Sequence, residues 1–135
     1  MTFLTDANIL SEPTKPNPEA RIEEWLQRYE EHIVVDSIIL GEVRLGISRL
    51  PNGRKRQKLD DWFNRVVLSI VCLPWDAPIA IRWAELITDL RCRGKMMPLQ
   101  DSMIAATALS HGLTVATRNV KDFENAGVHV INPFE

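Results

Sequence analysis

Apolar and polar positions change period along the chain, and the changes predict its elements. The opening run Phe3-Leu4-Thr5 stops at Asp6, Ala7 and Asn8, as a buried strand does on reaching the edge of a sheet. Residues 12–18 carry three prolines and read as a loop, after which Asn17-Pro18-Glu19 supplies an N-cap, a first-turn proline and an early acid. The helix so begun extends to about Tyr29, with Ile22, Trp25, Leu26 and Tyr29 at the spacing of a core-facing stripe. Ile33-Val34-Val35 predicts a second strand. Ser37 caps the next helix, whose Ile38, Ile39, Leu40, Val43, Leu45 and Ile47 surround most of its circumference and imply burial, with Glu42 the one acid among them.

An amphipathic helix over residues 54–68 follows, then a strand near residues 70–73. Asp76-Ala77-Pro78 opens a helix that stops at Gly94, with Ala80, Ile81, Trp83, Ala84, Leu86, Ile87 and Leu90 facing inward. Pro98-Leu99-Gln100-Asp101-Ser102 leads into a small-residue helix ended by His111-Gly112, a C-terminal glycine signal. Residues 113–116 predict a fourth strand, residues 119–124 a helical turn, and residues 128–131 a fifth strand. Strands alternating with helices imply a three-layer α/β/α protein, its central sheet mostly parallel with four to five strands.

Length and composition add little to that picture and exclude some classes. The chain has 135 residues, 45% hydrophobic and 25% charged, which suits one domain over residues 1–135. No basic segment precedes the first apolar run, and the longest later run, from Val66 to Trp75, is interrupted by Ser69 and Pro74. A secretory signal and a membrane span are therefore not expected, and a cytoplasmic protein is. Cys72 and Cys92 lack CxxC spacing, which points to reduced thiols rather than a zinc site or disulfide. The net charge of −2 argues against a nucleic-acid binder, unless several carboxylates surround a divalent cation that reverses the local sign.

Three acids stand where the local pattern favours something else. Asp6 ends the first strand, where open parallel sheets place their ligands, although Asp also caps helices well. Glu42 lies inside an apolar helix, and either a site or an ion pair with Arg44 or Arg49 would account for it. Asp101 opens the alanine-rich helix, as a site residue or as an acid favoured by the helix dipole. Asp122 beside Lys121 reads in isolation as a surface acid. If Asp6, Glu42 and Asp101 meet, their burial demands a cation. Oxygen donors without His or Cys select magnesium or manganese.

Four stretches together carry a resemblance: Leu4-Thr5-Asp6-Ala7-Asn8-Ile9-Leu10-Ser11-Glu12, Gly41-Glu42-Val43-Arg44-Leu45-Gly46-Ile47, Pro98-Leu99-Gln100-Asp101-Ser102-Met103-Ile104-Ala105-Ala106-Thr107-Ala108, and Thr117-Arg118-Asn119-Val120-Lys121-Asp122-Phe123. In this order, with the closing Val130-Ile131-Asn132-Pro133-Phe134, the chain resembles PIN-domain ribonuclease toxins of the VapC type, especially the FitB-like branch. The resemblance implies a magnesium- or manganese-dependent endoribonuclease, the toxin of a toxin–antitoxin pair, with Asp6, Glu42 and Asp101 as metal ligands. It implies an RNA substrate, a homodimer, and an antitoxin whose tail covers the acidic crevice with an inserted basic side chain. Two positions depart from the family pattern. Asn119 stands where some relatives carry Asp, so either Asn119 or Asp122 completes the set, and Ala7 replaces the usual Thr beside Asp6.

In this reading Thr117 and Arg118 steady the phosphate, and no histidine base is required. The run Arg54-Lys55-Arg56-Gln57-Lys58 is either a phosphate attractor or a solvated helix face. Trp25, Trp62, Trp75 and Trp83 are expected in the core or an interface. Two rivals remain at this level: a phosphoryl-aspartate enzyme using Asp6, and a catalytically weakened module that binds RNA or protein.

Overall fold

The computed structural model describes residues Met1–Glu135 and contains five strands in one fully parallel sheet. These are β1 (Phe3–Thr5), β2 (Ile33–Asp36), β3 (Val71–Leu73), β4 (Thr114–Ala116) and β5 (His129–Ile131), ordered β3-β2-β1-β4-β5. The chain works outward from β1 to β3 on one side and returns to place β4 on the other. The order therefore reverses between β1 and β4, the switch point at which such sheets open a crevice. Phe3 pairs with Ile33 and Thr114, and Leu4 with Val34 and Val115. Continuing these registers sets Asp6 beside both Asp36 and Thr117.

Six helices cover the sheet: α1 (Ala7–Ser11), α2 (Ala20–Arg28), α3 (Ser37–Ser48), α4 (Arg54–Arg65), α5 (Ala77–Cys92) and α6 (Leu99–His111). Successive strand residues face opposite sides, and both sides are packed. Leu4, Val35 and Val115 belong to the main core with Ile39 and Val43 of α3, Leu86 and Leu90 of α5, and Ile104 and Ala105 of α6. On the face away from Leu4, Phe3 meets Trp25 of α2 and Tyr29 edge-on, each at 5.1 Å between ring centroids. Gly112, in the left-handed region at φ 63°, ends α6 as its position in the sequence predicts.

Several local expectations are corrected. A helix, α1, follows β1 directly; Glu12 to Thr14 form a 3-10 turn rather than open loop. Helix α2 starts at Ala20 behind Glu19, with no side-chain cap from Asn17. The cap of α3 is Asp36, not Ser37. Helix α4 ends at Arg65, and a separate 3-10 turn over Val67–Ser69 leads to β3. On α5 the buried residues are Ile79, Leu86 and Leu90, whereas Ile81 is 64% exposed and Ala84 is exposed too. Leu45 likewise turns outward on α3, so that helix is buried on one side only. Both cysteines are free and exposed, Cys72 on the edge strand β3.

Candidate active site

Asp6 is both a helix cap and a member of the acidic group. Its backbone N–H donates to the Ala116 carbonyl at 3.1 Å, which continues the β1–β4 ladder past the strand end. Its Oδ1 accepts from the Ile9 N–H at 2.8 Å, capping α1. Its Oδ2 accepts from the Thr117 hydroxyl at 2.6 Å, across the switch point. Thr117, itself 1% exposed, accepts in turn from the Asn119 N–H at 3.0 Å. Burial raises the Asp6 pKa, and the hydrogen bonds from Thr117, Ile9 and Asn8 partly offset it.

The other sequence-predicted acids lie in the same field. Glu42, half-buried on α3, has its pKa raised by burial first and then by the charges of Asp6, Asp101 and Asp36. Asp101 stands in the first turn of α6, pushed up to about 6 by burial and then by Asp122 and Asp6. Asp122, first among the charges that act on Asp101, is therefore its close neighbour. Asp122, on the 3-10 turn Val120–Phe123, thus belongs to the group rather than to the open surface. Asn119 is exposed and reaches the group through its backbone, so the acid three positions on is the better-placed of the two.

No cation balances these carboxylates. The ion pairs are Lys15–Glu12, Arg44–Asp60, Arg82–Glu85 and Arg93–Asp89, none of which touches them. The Glu42 ion pair weighed from the sequence does not form, because Arg44 bonds to Asp60 at 2.8 Å. Arg118 is the nearest basic residue in sequence to Thr117. Its guanidinium lies 4.0 Å from the Phe134 ring centre, held over the aromatic face.

One member was missed in the sequence. Asp36 ends β2, is 0% exposed, caps α3 through Oδ1 to the Ile39 N–H at 2.8 Å, and accepts the Thr107 hydroxyl at Oδ2 at 2.7 Å. Burial raises its pKa, with the same kinds of hydrogen bond opposing. The signal lay in the repetition of strand, Asp, helix: Leu4-Thr5-Asp6-Ala7 and Val34-Val35-Asp36-Ser37 are built alike. Asp76 repeats the cap alone, accepting from the Ile79 N–H at 3.2 Å at the start of α5.

A hard divalent cation suits this donor set. All donors are carboxylate oxygens, they repel one another, and no lysine or arginine neutralises them. No three acidic, His or Cys side chains stand close enough to enclose an ion alone. That spacing agrees with magnesium chemistry, in which one or two carboxylates bind and water or phosphate oxygens fill the remaining positions.

The fold and the acids together define a parallel α/β protein with a group of acids at its switch point. Comparison with known proteins makes this specific. A PIN domain family model matches residues 3–128. Toxin FitB of Neisseria gonorrhoeae (strain ATCC 700825 / FA 1090) is 37% identical over 136 residues, covering 98% of each chain. VapC ribonuclease Y4jK of Sinorhizobium fredii (strain NBRC 101917 / NGR234) is 33% identical over 137 residues, again covering 98% of each. The crystal structure of FitAcB from Neisseria gonorrhoeae superposes with a TM-score of 0.93 at 36% identity and 99% coverage of both chains. The chain belongs to the PIN domain family, among its FitB- and VapC-type members.

Proposed function

We propose that residues 1–135 form one PIN domain that hydrolyses RNA phosphodiester bonds with a divalent metal ion, as the toxin of a toxin–antitoxin pair. The observation that carries this reading is the group of mutually repelling carboxylates, Asp6, Glu42, Asp101 and Asp122, at the β1–β4 switch point with no basic partner. Relatives named as a toxin and as a VapC ribonuclease, alike along nearly the whole chain, support it.

Asp6, Glu42 and Asp101 would hold magnesium or manganese, directly or through bound water as their spacing requires, with Asp122, or Asn119 through water, completing the shell. Bound there, the ion would lower the pKa of a water and neutralise charge on the phosphate. Thr117 fixes the orientation of the Asp6 carboxylate through its 2.6 Å hydrogen bond, standing in for the hydroxyl absent at Ala7. Arg118, its guanidinium held 4.0 Å from the Phe134 ring centre, would supply a positive charge for an RNA phosphate. In hydrolysis a water oxygen joins phosphorus as one ester P–O bond breaks. No histidine serves as base: His32 precedes β2, His111 precedes β4 and His129 opens β5, all at the opposite edge of the sheet.

The antitoxin has a suitable surface as well. A groove of about 990 Å³ is floored by Leu10, Leu26, Ile33, Trp62 and Ile70 and rimmed by Glu23, Glu24, Glu30 and Glu31. Leu10 lies on α1, the helix that Asp6 caps, so the groove and the acids share an element. An apolar segment flanked by lysine or arginine would fit it, and a separate basic side chain reaching the acids would compete with the metal. Leu45, Ile81 and Leu99, exposed on α3, α5 and α6, are available to the proposed homodimer contact. No helix is long and apolar enough to cross a membrane.

The test is incubation of purified protein with cellular RNA in Mg²⁺ and in EDTA. Fragments in Mg²⁺ alone are expected; RNA intact in both, or cut equally in both, would overturn the assignment.

A further inference from the structure

We propose that the buried pair Asp36–Thr107 is a positioning device that sets the spacing between Glu42 and Asp101. The inference rests on the metal-dependent reading above and assigns a role to two residues outside the ligand set. Both side chains are 0% exposed, and they join through the Thr107 hydroxyl donating to Asp36 Oδ2 at 2.7 Å. The alternative acceptor for that hydroxyl, the Met103 carbonyl, is farther away at 3.4 Å. Asp36 Oδ1 is committed to the first turn of α3 through Ile39. The carboxylate therefore has one oxygen on α3, which carries Glu42, and the other on α6, which carries Asp101.

The helices act as stiff arms. Each acid is less than about two helical turns from its anchor, so a shift at the anchor is passed to the acid with little loss. Asp6 is wired in the same way, with Oδ1 on α1 through Ile9 and Oδ2 on Thr117 beyond β4. The register of β1 and β2 sets the two aspartates side by side. One joins the elements around the switch point, and the other joins the two helices that bring the remaining ligands. Packing of alanines along α6 gives close approach but no directional lock, since Ala105, Ala106 and Ala108 offer only smooth surfaces. The Asp36–Thr107 hydrogen bond supplies a buried, direct lock, beside the indirect bridge in which Trp75 donates its N–H to Ser37 Oγ and its Nε1–H to the Met103 carbonyl.

Outer partners that orient metal ligands typically change affinity roughly 10- to 100-fold when removed. The experiment uses Thr107→Val, nearly isosteric, Asp36→Asn, and the double variant, with Mn²⁺ titrated by calorimetry and RNA cleavage resolved into kcat and KM. Each single variant is expected to bind Mn²⁺ about tenfold more weakly and to lose kcat while KM for RNA stays unchanged. The double variant should be no worse than the weaker single, because both remove one interaction. Thr107→Ser, which keeps the hydroxyl, should restore Mn²⁺ affinity. Parental affinity in both single variants, additive losses in the double, or failure of Thr107→Ser to restore binding would overturn the positioning role. Parent protein that binds Mn²⁺ yet cuts no RNA would sink the ribonuclease reading alone, with the titration still deciding the role of the pair. Parent protein that binds no Mn²⁺ would overturn both.

Discussion

Replacing Thr117 with Val tests the wiring of Asp6 with almost no change of shape. The substitution removes the donor to Asp6 Oδ2 at 2.6 Å and the acceptor of the Asn119 N–H at 3.0 Å. Asn119 is exposed, so water replaces its lost partner and the main cost falls on Asp6, which is 8% exposed. A buried hydrogen bond to a charged group contributes about 1.5–3 kcal/mol, so a loss of about 2 kcal/mol is expected at pH 7.5 in EDTA. With a urea m-value of roughly 1.5 kcal/mol/M, the midpoint should fall by more than about 1 M. The Thr117 hydrogen bond lowers the Asp6 pKa, so its removal lets that pKa rise further, and the loss should shrink as acid protonates the carboxyl. Thr5 provides a matched control. It is also fully buried, but its hydroxyl has no hydrogen-bond partner, so Thr5→Val should be neutral or stabilising. A Thr117→Val loss below about 0.5 kcal/mol, or equal losses at both positions, would refute the reasoning.

Other outcomes follow from the same geometry. Asp6, Glu42 and Asp101 have raised pKa values, so the folded chain holds their protons more tightly than the unfolded chain. All three therefore stabilise the metal-free fold at the acid end and lose that contribution as pH rises, Asp101 as pH passes about 6, to which it is pushed. Melting in EDTA should accordingly occur at higher temperature at pH 5.5 than at pH 7.5, and saturating Mg²⁺ at pH 7.5 should recover the difference; a metal-free melting point that rises with pH would contradict this. Asp122→Asn should weaken Mn²⁺ binding more than Asn119→Ala, read by calorimetry, because the Asp122 carboxylate acts on Asp101 whereas Asn119 contributes its backbone. Gly112→Ala places a side chain at φ 63° and should cost about 1 kcal/mol in urea unfolding with no effect on metal affinity.

What the sequence disclosed follows from the range of the forces involved. Alternation of strand and helix, the Gly112 stop, and the acids Asp6, Glu42 and Asp101 are local in pattern, and a parallel sheet follows from them. Helix α1 escaped because its five residues are too few for a periodic stripe and run directly into Glu12-Pro13. Asp36 escaped because Ser37 next to it is also a good cap, and only the pairing of β1 with β2 sets Asp36 beside Asp6. Ile81 and Ala84 looked inward because α5 is apolar on more than one side; the side that is buried depends on α6, which packs against it. Asp122 read as a surface acid until the turn at Val120–Phe123 brought it to Asp101.

The central claim is that the carboxylates at the β1–β4 switch point are the chemical machinery for RNA cleavage. Its most direct test is single-turnover RNA cleavage across a Mg²⁺ titration, comparing the parent chain with Asp6→Asn and Asp101→Asn. Both variants keep the size of the side chain while removing the charge, although at Asp6 the amide has one acceptor oxygen where the carboxylate has two. The account predicts Mg²⁺-dependent cleavage by the parent and at least about a hundredfold loss in each variant, the scale at which removing a charged group from an active site acts. Parental rates in either variant would contradict it.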